Sequence, residues 1–219
     1  MKIKKILVLG IIMLLVFIIY LITLDDKIYY LSLGDSLAIG TNKSKEYNKY
    51  LADYLNELGI LEKYVNDYSD KEQRTIDLIN DIKRNKKIVI NNKTETLKNA
   101  LVKADIITLS IGKNDLLSKL NYISEKENPY KYADIILLDM DKLLKLIREY
   151  CKEDIYLIGI YDSNKNIKNK RILNYIDKKS ELLCKKYNIN YISTNKIKDN
   201  KNVHQIIFEH LKSKIKLKN

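Results

Sequence analysis

Along residues 28–215 the chain alternates between two hydrophobic periods. Four short runs, Lys27–Leu33 (KIYYLSL), Asp105–Ile111 (DIITLSI), Asp154–Ile160 (DIYLIGI) and Ile189–Ser193 (INYIS), are apolar on both faces and rich in β-formers. That is the pattern of strands buried inside a parallel sheet. A weaker fifth strand is expected near Lys63–Val65, and Lys87–Ile90 reads as a strand or only a short extended piece. Between the runs the period becomes helical. Tyr47, Leu51, Tyr54, Leu55 and Leu58 share one face, and Leu137, Met140, Leu143, Leu144 and Ile147 share another. Further helices are expected over 74–85, 94–103, 114–122, 168–187 and 205–216. Ser124–Pro129 reads as a loop, with Pro129 opening the helix that follows. Strand–helix alternation of this kind predicts one α/β domain over residues 25–219, built on a parallel sheet of about five strands.

A different pattern precedes the domain. Residues 6–24 read ILVLGIIMLLVFIIYLITL, without a charge. At 1.5 Å per residue this nearly spans a hydrocarbon core of about 30 Å. Lys2, Lys4 and Lys5 stand before it and Asp25, Asp26 and Lys27 after it, so the positive-inside bias keeps the N-terminus cytoplasmic and exports the rest. With no A-x-A-like site after the apolar stretch, an uncleaved N-terminal transmembrane helix over 1–24 is expected in preference to a cleaved signal segment, which would leave the domain secreted.

Composition narrows the function classes. The 219 residues carry a net charge of +12, which falls to +9 for the exported part once the three leading lysines are set aside. The lysines are spread rather than interleaved with aromatics, so no nucleic-acid partner is expected, although a basic domain sits well beside an anionic surface. Cys151 and Cys184 cannot build a disulfide scaffold and are expected as buried free thiols. No metal-ligand cluster, P-loop or G-x-G-x-x-G stands out, and neither metal nor cofactor is expected. The chain is expected to act as a monomer.

In an open α/β sheet, ligands bind beyond the carboxyl ends of the strands where the strand order reverses. Gly34-Asp35-Ser36-Leu37 follows the first strand, Gly112-Lys113-Asn114-Asp115 follows the strand at 105–111, and His204 stands at the mouth of the last helix. With the common order 2-1-3-4-5, the first two segments flank the reversal. A hydroxyl, a carboxamide and an imidazole suffice for acyl transfer. Histidine is the base matched to neutral pH, and the Ser36 N–H and Asn114 amide are candidate oxyanion donors. His210 reads as a surface residue.

These residues carry a resemblance. YYLSLGDSLAIG and LSIGKND resemble the first and third blocks of the SGNH (GDSL) hydrolases, serine esterases and lipases, over roughly 28–215. The resemblance implies a flavodoxin-like three-layer α/β/α sandwich. It also implies Ser36 as nucleophile, Asn114 as oxyanion donor and His204 as base, with Gly34, Asp35, Gly112 and Asp115 as motif support. Two blocks depart from the pattern. The second, at 65–75, has no glycine to supply a backbone oxyanion donor, which is expected somewhere in Ser69–Gln73. The last lacks the aspartate of D-x-x-H, because Lys201 stands three before His204 and Asp199 five before. Asp199, Asn202 or a backbone carbonyl remain as groups to orient the imidazole. The expected function is an extracytoplasmic, membrane-anchored serine esterase acting on a small ester, whether lipid, acetylated glycan or short-chain ester. The alternative is a degenerate domain of the same fold that binds wall glycan or lipid without turnover.

Overall fold

The computed structural model describes residues 10–18, 27–40, 45–90, 92–120, 128–162, 170–197 and 202–217. Five strands, β1 (Ile28–Gly34), β2 (Leu61–Val65), β5 (Ile106–Ser110), β6 (Asp154–Ile158) and β7 (Asn190–Ile192), form one sheet in the order β2-β1-β5-β6-β7. Every pairing in it is parallel. The order is the expected 2-1-3-4-5, with the reversal between β1 and β5.

The sheet is buried on both faces because its strands alternate between two cores. Tyr29, Leu31 and Leu33 of β1, Ile107 and Leu109 of β5, and Ile155 and Leu157 of β6 pack into one. That core is closed by α3 (Thr75–Lys83), α4 (Leu97–Lys103), α6 (Pro129–Tyr150) and α7 (Lys170–Lys186). Tyr30, Ile106, Tyr156 and Ile158 face the other, closed by α2 (Tyr47–Glu57) and α8 (Val203–Lys214). Two short helices, α1 (Ser36–Ile39) and α5 (Lys113–Leu120), stand directly after β1 and β5. Pro129 occupies the first turn of α6, where its missing N–H costs nothing, and the Asn128 side chain accepts from the Tyr130 N–H. Cys151 and Cys184 are both buried and free.

One element differs from expectation. Residues 93–96, which read as the start of a helix over 94–103, form β4 (Lys93–Thr96), an antiparallel partner of β3 (Lys87–Ile90). Helix α4 starts only at Leu97, where the Thr96 side chain accepts from the Asn99 N–H. The tertiary reason is Glu95, buried beneath the hairpin, where it accepts from the Tyr29 hydroxyl and pairs with Lys63. The strand conformation aims Glu95 at the main sheet, and this outweighs the helical preference of the local sequence.

Residues 10–18 are helical, but among the described residues no helix is long and apolar enough to cross a membrane. The expected transmembrane helix is therefore not seen as such, and the rest of the 6–24 segment lies outside the described residues.

Candidate active site

The end of β1 is shaped by a glycine held against the neighbouring strand. Gly34 has φ +136°, and a Cβ added there would lie 1.9 Å from the carbonyl oxygen of Ser110, the last residue of β5. Only a residue without a side chain allows this approach. It lets the Asp35 N–H donate to that same oxygen at 2.8 Å, which locks the two strand ends together across the reversal point. Asp35 caps α1, its Oδ1 accepting the Leu37 N–H at 3.1 Å. It is almost fully buried, and burial pushes its carboxyl up to about 6 against the opposing pull of the Leu37 N–H and Lys113.

Ser36 is thereby the first residue of α1, half-buried at the rim. Neither its hydroxyl nor its backbone N–H has a partner among the described residues, because the Asp35 groups serve Leu37, Ala38 and Ile39 instead. A first-turn N–H is one of the orphan donors that every helix start leaves over.

The turn after β5 grips a third segment. Gly112, at φ +104°, leads into α5. Asn114 donates both amide hydrogens to the loop between β2 and α3, to Lys71 O at 2.9 Å and Gln73 O at 3.0 Å. Asp115 accepts from the Thr75 N–H at 2.9 Å and the Thr75 hydroxyl at 3.0 Å, which ties down the start of α3. Burial raises its carboxyl above the ordinary range, and Thr75 opposes that rise.

Within that loop the donors can be followed one by one. Ser69 N–H goes to Asn66 O, Asp70 N–H to Gly34 O at 3.1 Å, Glu72 N–H to the Asp70 carboxylate, and Gln73 N–H to Asp70 O. In Ser69–Gln73 only the Lys71 N–H has no acceptor among the described residues. Positive φ outside glycine occurs, among the described residues, at Asn85, Asn92 and Asn188, and nowhere in this loop. Its backbone thus has no conformation that requires a glycine. The Asp70 contact sets the loop against Gly34, two residues before Ser36.

His204 is the second residue of α8 and is half-buried against α2. Its Nδ1 accepts the Tyr47 N–H at 3.3 Å, and its ring lies parallel to that of Tyr47, 10° apart in plane with centroids at 6.4 Å. Burial lowers the imidazole from its ordinary value, and Glu46 pulls it back up. With Nδ1 accepting, the neutral ring carries its proton on Nε2. Among the described residues no hydrogen bond joins Ser36 to His204, so the couple is not preassembled. Asp199 lies outside the described residues, and Asn202 stands at the N-cap of α8.

The structure brings the GDSL turn, the GKND turn and the loop 66–75 to one rim, with His204 reaching α2 beside it. Sequence reasoning gave neither Glu46 nor Tyr47 a role toward His204, and Tyr47 entered it on the face of an amphipathic helix. No group of three metal-ligating side chains occurs among the described residues.

No protein-family model matches the chain, and no curated protein matches it. Solved structures do. Axe2, an acetylxylan esterase from Geobacillus stearothermophilus, aligns at 17% identity over 84% of this chain and 80% of its own, with a TM-score of 0.55. The lipase Lip_vut3 from a goat rumen metagenome aligns at 16% identity over 84% of this chain and 95% of its own, with a TM-score of 0.65. AlinE4, an SGNH-hydrolase family esterase, aligns at 22% identity over 74% of each chain, with a TM-score of 0.50. With GDSL and GKND at the carboxyl ends of β1 and β5, the chain shares the fold of these two esterases and of this lipase.

Proposed function

We propose that the chain is a serine ester hydrolase acting on acyl or acetyl esters outside the cytoplasm. The observation that carries this reading is a hydroxyl and two N–H donors without acceptors among the described residues at one switch point, namely Ser36 Oγ, the Ser36 N–H and the Lys71 N–H. In the reaction, Ser36 Oγ attacks the ester carbonyl while His204 takes the hydroxyl proton. The tetrahedral oxyanion is held by the Ser36 and Lys71 N–H groups and by the Asn114 amide. Collapse expels the alcohol, which takes the proton from His204 and leaves an acyl-Ser36. Water, deprotonated by His204, then releases the acid and restores Ser36.

Two rearrangements accompany this mechanism. His204 must turn a bare ring nitrogen toward Ser36, and Asn114 must loosen one of its two loop contacts. Catalytic hydrogen bonds commonly tighten only when substrate is bound. The same two contacts favour a second reading, a domain that binds an acylated glycan or lipid without turnover.

Two features support attachment to a membrane. One is the uncharged run at 6–24 with lysines on its N-terminal side. The other is the exposure of every apolar side chain from Ile11 to Ile18.

A fluorophosphonate probe decides between hydrolase and binding module. The folded wild-type chain takes the label and Ser36→Ala does not. A folded wild type that stays unlabelled gives the second reading. A series of chromogenic esters of increasing acyl length, with acetylated glycans beside them, then sets the substrate class. For the anchor, full-length protein that leaves membranes in high salt would refute the attachment.

A further inference from the structure

The base of a serine hydrolase works through one ring nitrogen, and something has to hold the other. The segment before α8 offers no aspartate three residues ahead of His204, since Lys201 stands there. A carboxylate arrives from another direction. Glu46 is the residue before Tyr47, whose backbone N–H donates to His204 Nδ1 and whose ring lies parallel to the imidazole. Its side chain folds back over Gly40, filling the space that a Cβ there would take, with Oε1 2.2 Å from that position. Gly40 ends α1, its N–H donating to Ser36 O at 2.9 Å. The Glu46 carboxylate thus lies against the end of the nucleophile's helix, at the start of the helix that touches His204. Glu46 is half-buried, and among the described residues its carboxylate makes no hydrogen bond and no ion pair.

From this placement we infer that Glu46 is the acidic positioning residue for His204, supplied from the N-cap of α2 in place of an aspartate ahead of the histidine. The inference rests on the serine-hydrolase reading for its catalytic meaning, though the pairing itself can be measured without turnover. A carboxylate accepts but never donates, so a ring N–H turned toward Glu46 leaves the opposite nitrogen bare to take the Ser36 proton. The negative charge also favours the imidazolium formed during acylation and deacylation. Gly40 belongs to the device, because any side chain there would evict Glu46 from its seat.

Among the described residues the charged surroundings of the imidazole are few. From α2, Glu46 acts on it and raises its proton affinity, while burial lowers it. Lys45, next along, is turned away to Asp53 at 2.6 Å. From the segment ahead of α8, Lys198, Asp199 and Lys201 lie outside the described residues, which makes Asp199 the rival to test.

The chain contains two histidines, so full-length protein labelled with ¹³C-histidine in detergent gives two titrating signals, assigned by His210→Gln. Glu46→Gln moves the His204 midpoint down by about 0.5–1 pH unit, allowing for solvent screening, and leaves His210 in place. Asp199→Asn leaves both midpoints in place, and Glu46→Asp recovers part of the shift. In ester hydrolysis the acid limb of kcat/KM in Glu46→Gln moves down by the same amount, kcat falls by about tenfold or more, and Tm does not change. A merely structural Glu46 would move Tm and leave the midpoint alone. An unmoved His204 midpoint in Glu46→Gln, or a shift in Asp199→Asn instead, overturns the inference. A midpoint that shifts as expected in a chain that neither takes fluorophosphonate nor hydrolyses esters keeps the pairing and removes the hydrolase reading.

Discussion

Replacing Gly34 by alanine isolates the contact that raises Ser36 to the rim. The new methyl would stand 1.9 Å from Ser110 O, where real Cβ contacts essentially never fall below 3.0 Å, so β1 and β5 must part by more than 1 Å at their ends. Parting breaks the Asp35 N–H bond to Ser110 O, worth about 1 kcal/mol net. The backbone also remains at φ +136°, which for a side-chain-bearing residue costs about 1–3 kcal/mol. Overpacking against a strand adds about 1–3 kcal/mol. The expected loss is about 3–7 kcal/mol, or a fall in Tm of roughly 6–28 °C for a domain of this size. Gly59→Ala is the control. Gly59 also has positive φ, at +73°, but an added Cβ meets nothing within 4 Å, so only the backbone cost of about 1 kcal/mol applies. Urea unfolding of both variants, followed by circular dichroism with the slope unchanged, reads the difference. Equal losses at the two positions would refute the argument that close approach to β5, and not backbone conformation alone, demands the glycine.

Other expectations follow from single groups. Asp35 holds its proton more tightly folded than unfolded, about 6 against 3.8, so its ionised form costs about 3 kcal/mol at pH 7. That cost is relieved as pH falls through 6 toward 4, and Asp35→Asn should flatten this part of the stability–pH curve; an unaltered curve contradicts the assignment. Because burial lowers His204, kcat/KM should keep its plateau through neutral pH and lose it on acidification with a midpoint below about 6.5; a midpoint above 7 is the adverse result. Asn114→Ala should cost about 10²–10³ in kcat and speed amide exchange across Lys71–Gln73, whose carbonyls it now holds; unchanged exchange would show that the loop does not depend on it. Cys151 and Cys184 should resist a thiol reagent until the chain is unfolded, since burial raises both thiols, Cys184 to about 12; rapid labelling of native protein would disprove their burial.

The five-stranded sheet was legible because its strands are apolar on both faces, a composition that few other environments tolerate. Asp154–Ile158 and Ile106–Ser110 fall within the runs read from the sequence, and the strand order is the common one expected for such a sheet. The hairpin was legible only in half. KTETLKNALV has the residues of a good helix, and what makes its first four a strand is a partner far away in sequence, the Tyr29 hydroxyl that Glu95 accepts. Local propensity carries no trace of such a contact. The same limit applies to His204. Its contacts are to Tyr47, 157 residues earlier, so a search for the orienting acid in the residues just before the histidine looks along the chain when the fold supplies one across it.

The loop between β2 and α3 shows how a missing motif residue need not remove a function. Its lack of glycine could have meant a lost donor. The structure shows a turn whose φ values are all ordinary, built by one carboxylate and two carbonyls. Asp70 takes the Glu72 N–H on its side chain and the Gln73 N–H on its carbonyl, while its own N–H goes to Gly34 O. That arrangement engages the neighbours of Lys71 and leaves the Lys71 N–H over. Asn114 and Asp115 then fix the far side of the turn through Lys71 O, Gln73 O and Thr75. A donor needs an unengaged N–H held by rigid surroundings, and neither condition specifies a side chain. The exposed Lys71 side chain can therefore lie outside the turn without disturbing it. Lys71→Gly should accordingly leave the labelling rate of Ser36 within a few fold, whereas Asp70→Ala, which frees the Glu72 N–H to compete and loosens the turn, should slow it by tenfold or more. The reverse order of effects would show that the Lys71 ammonium, and not its backbone, serves the reaction.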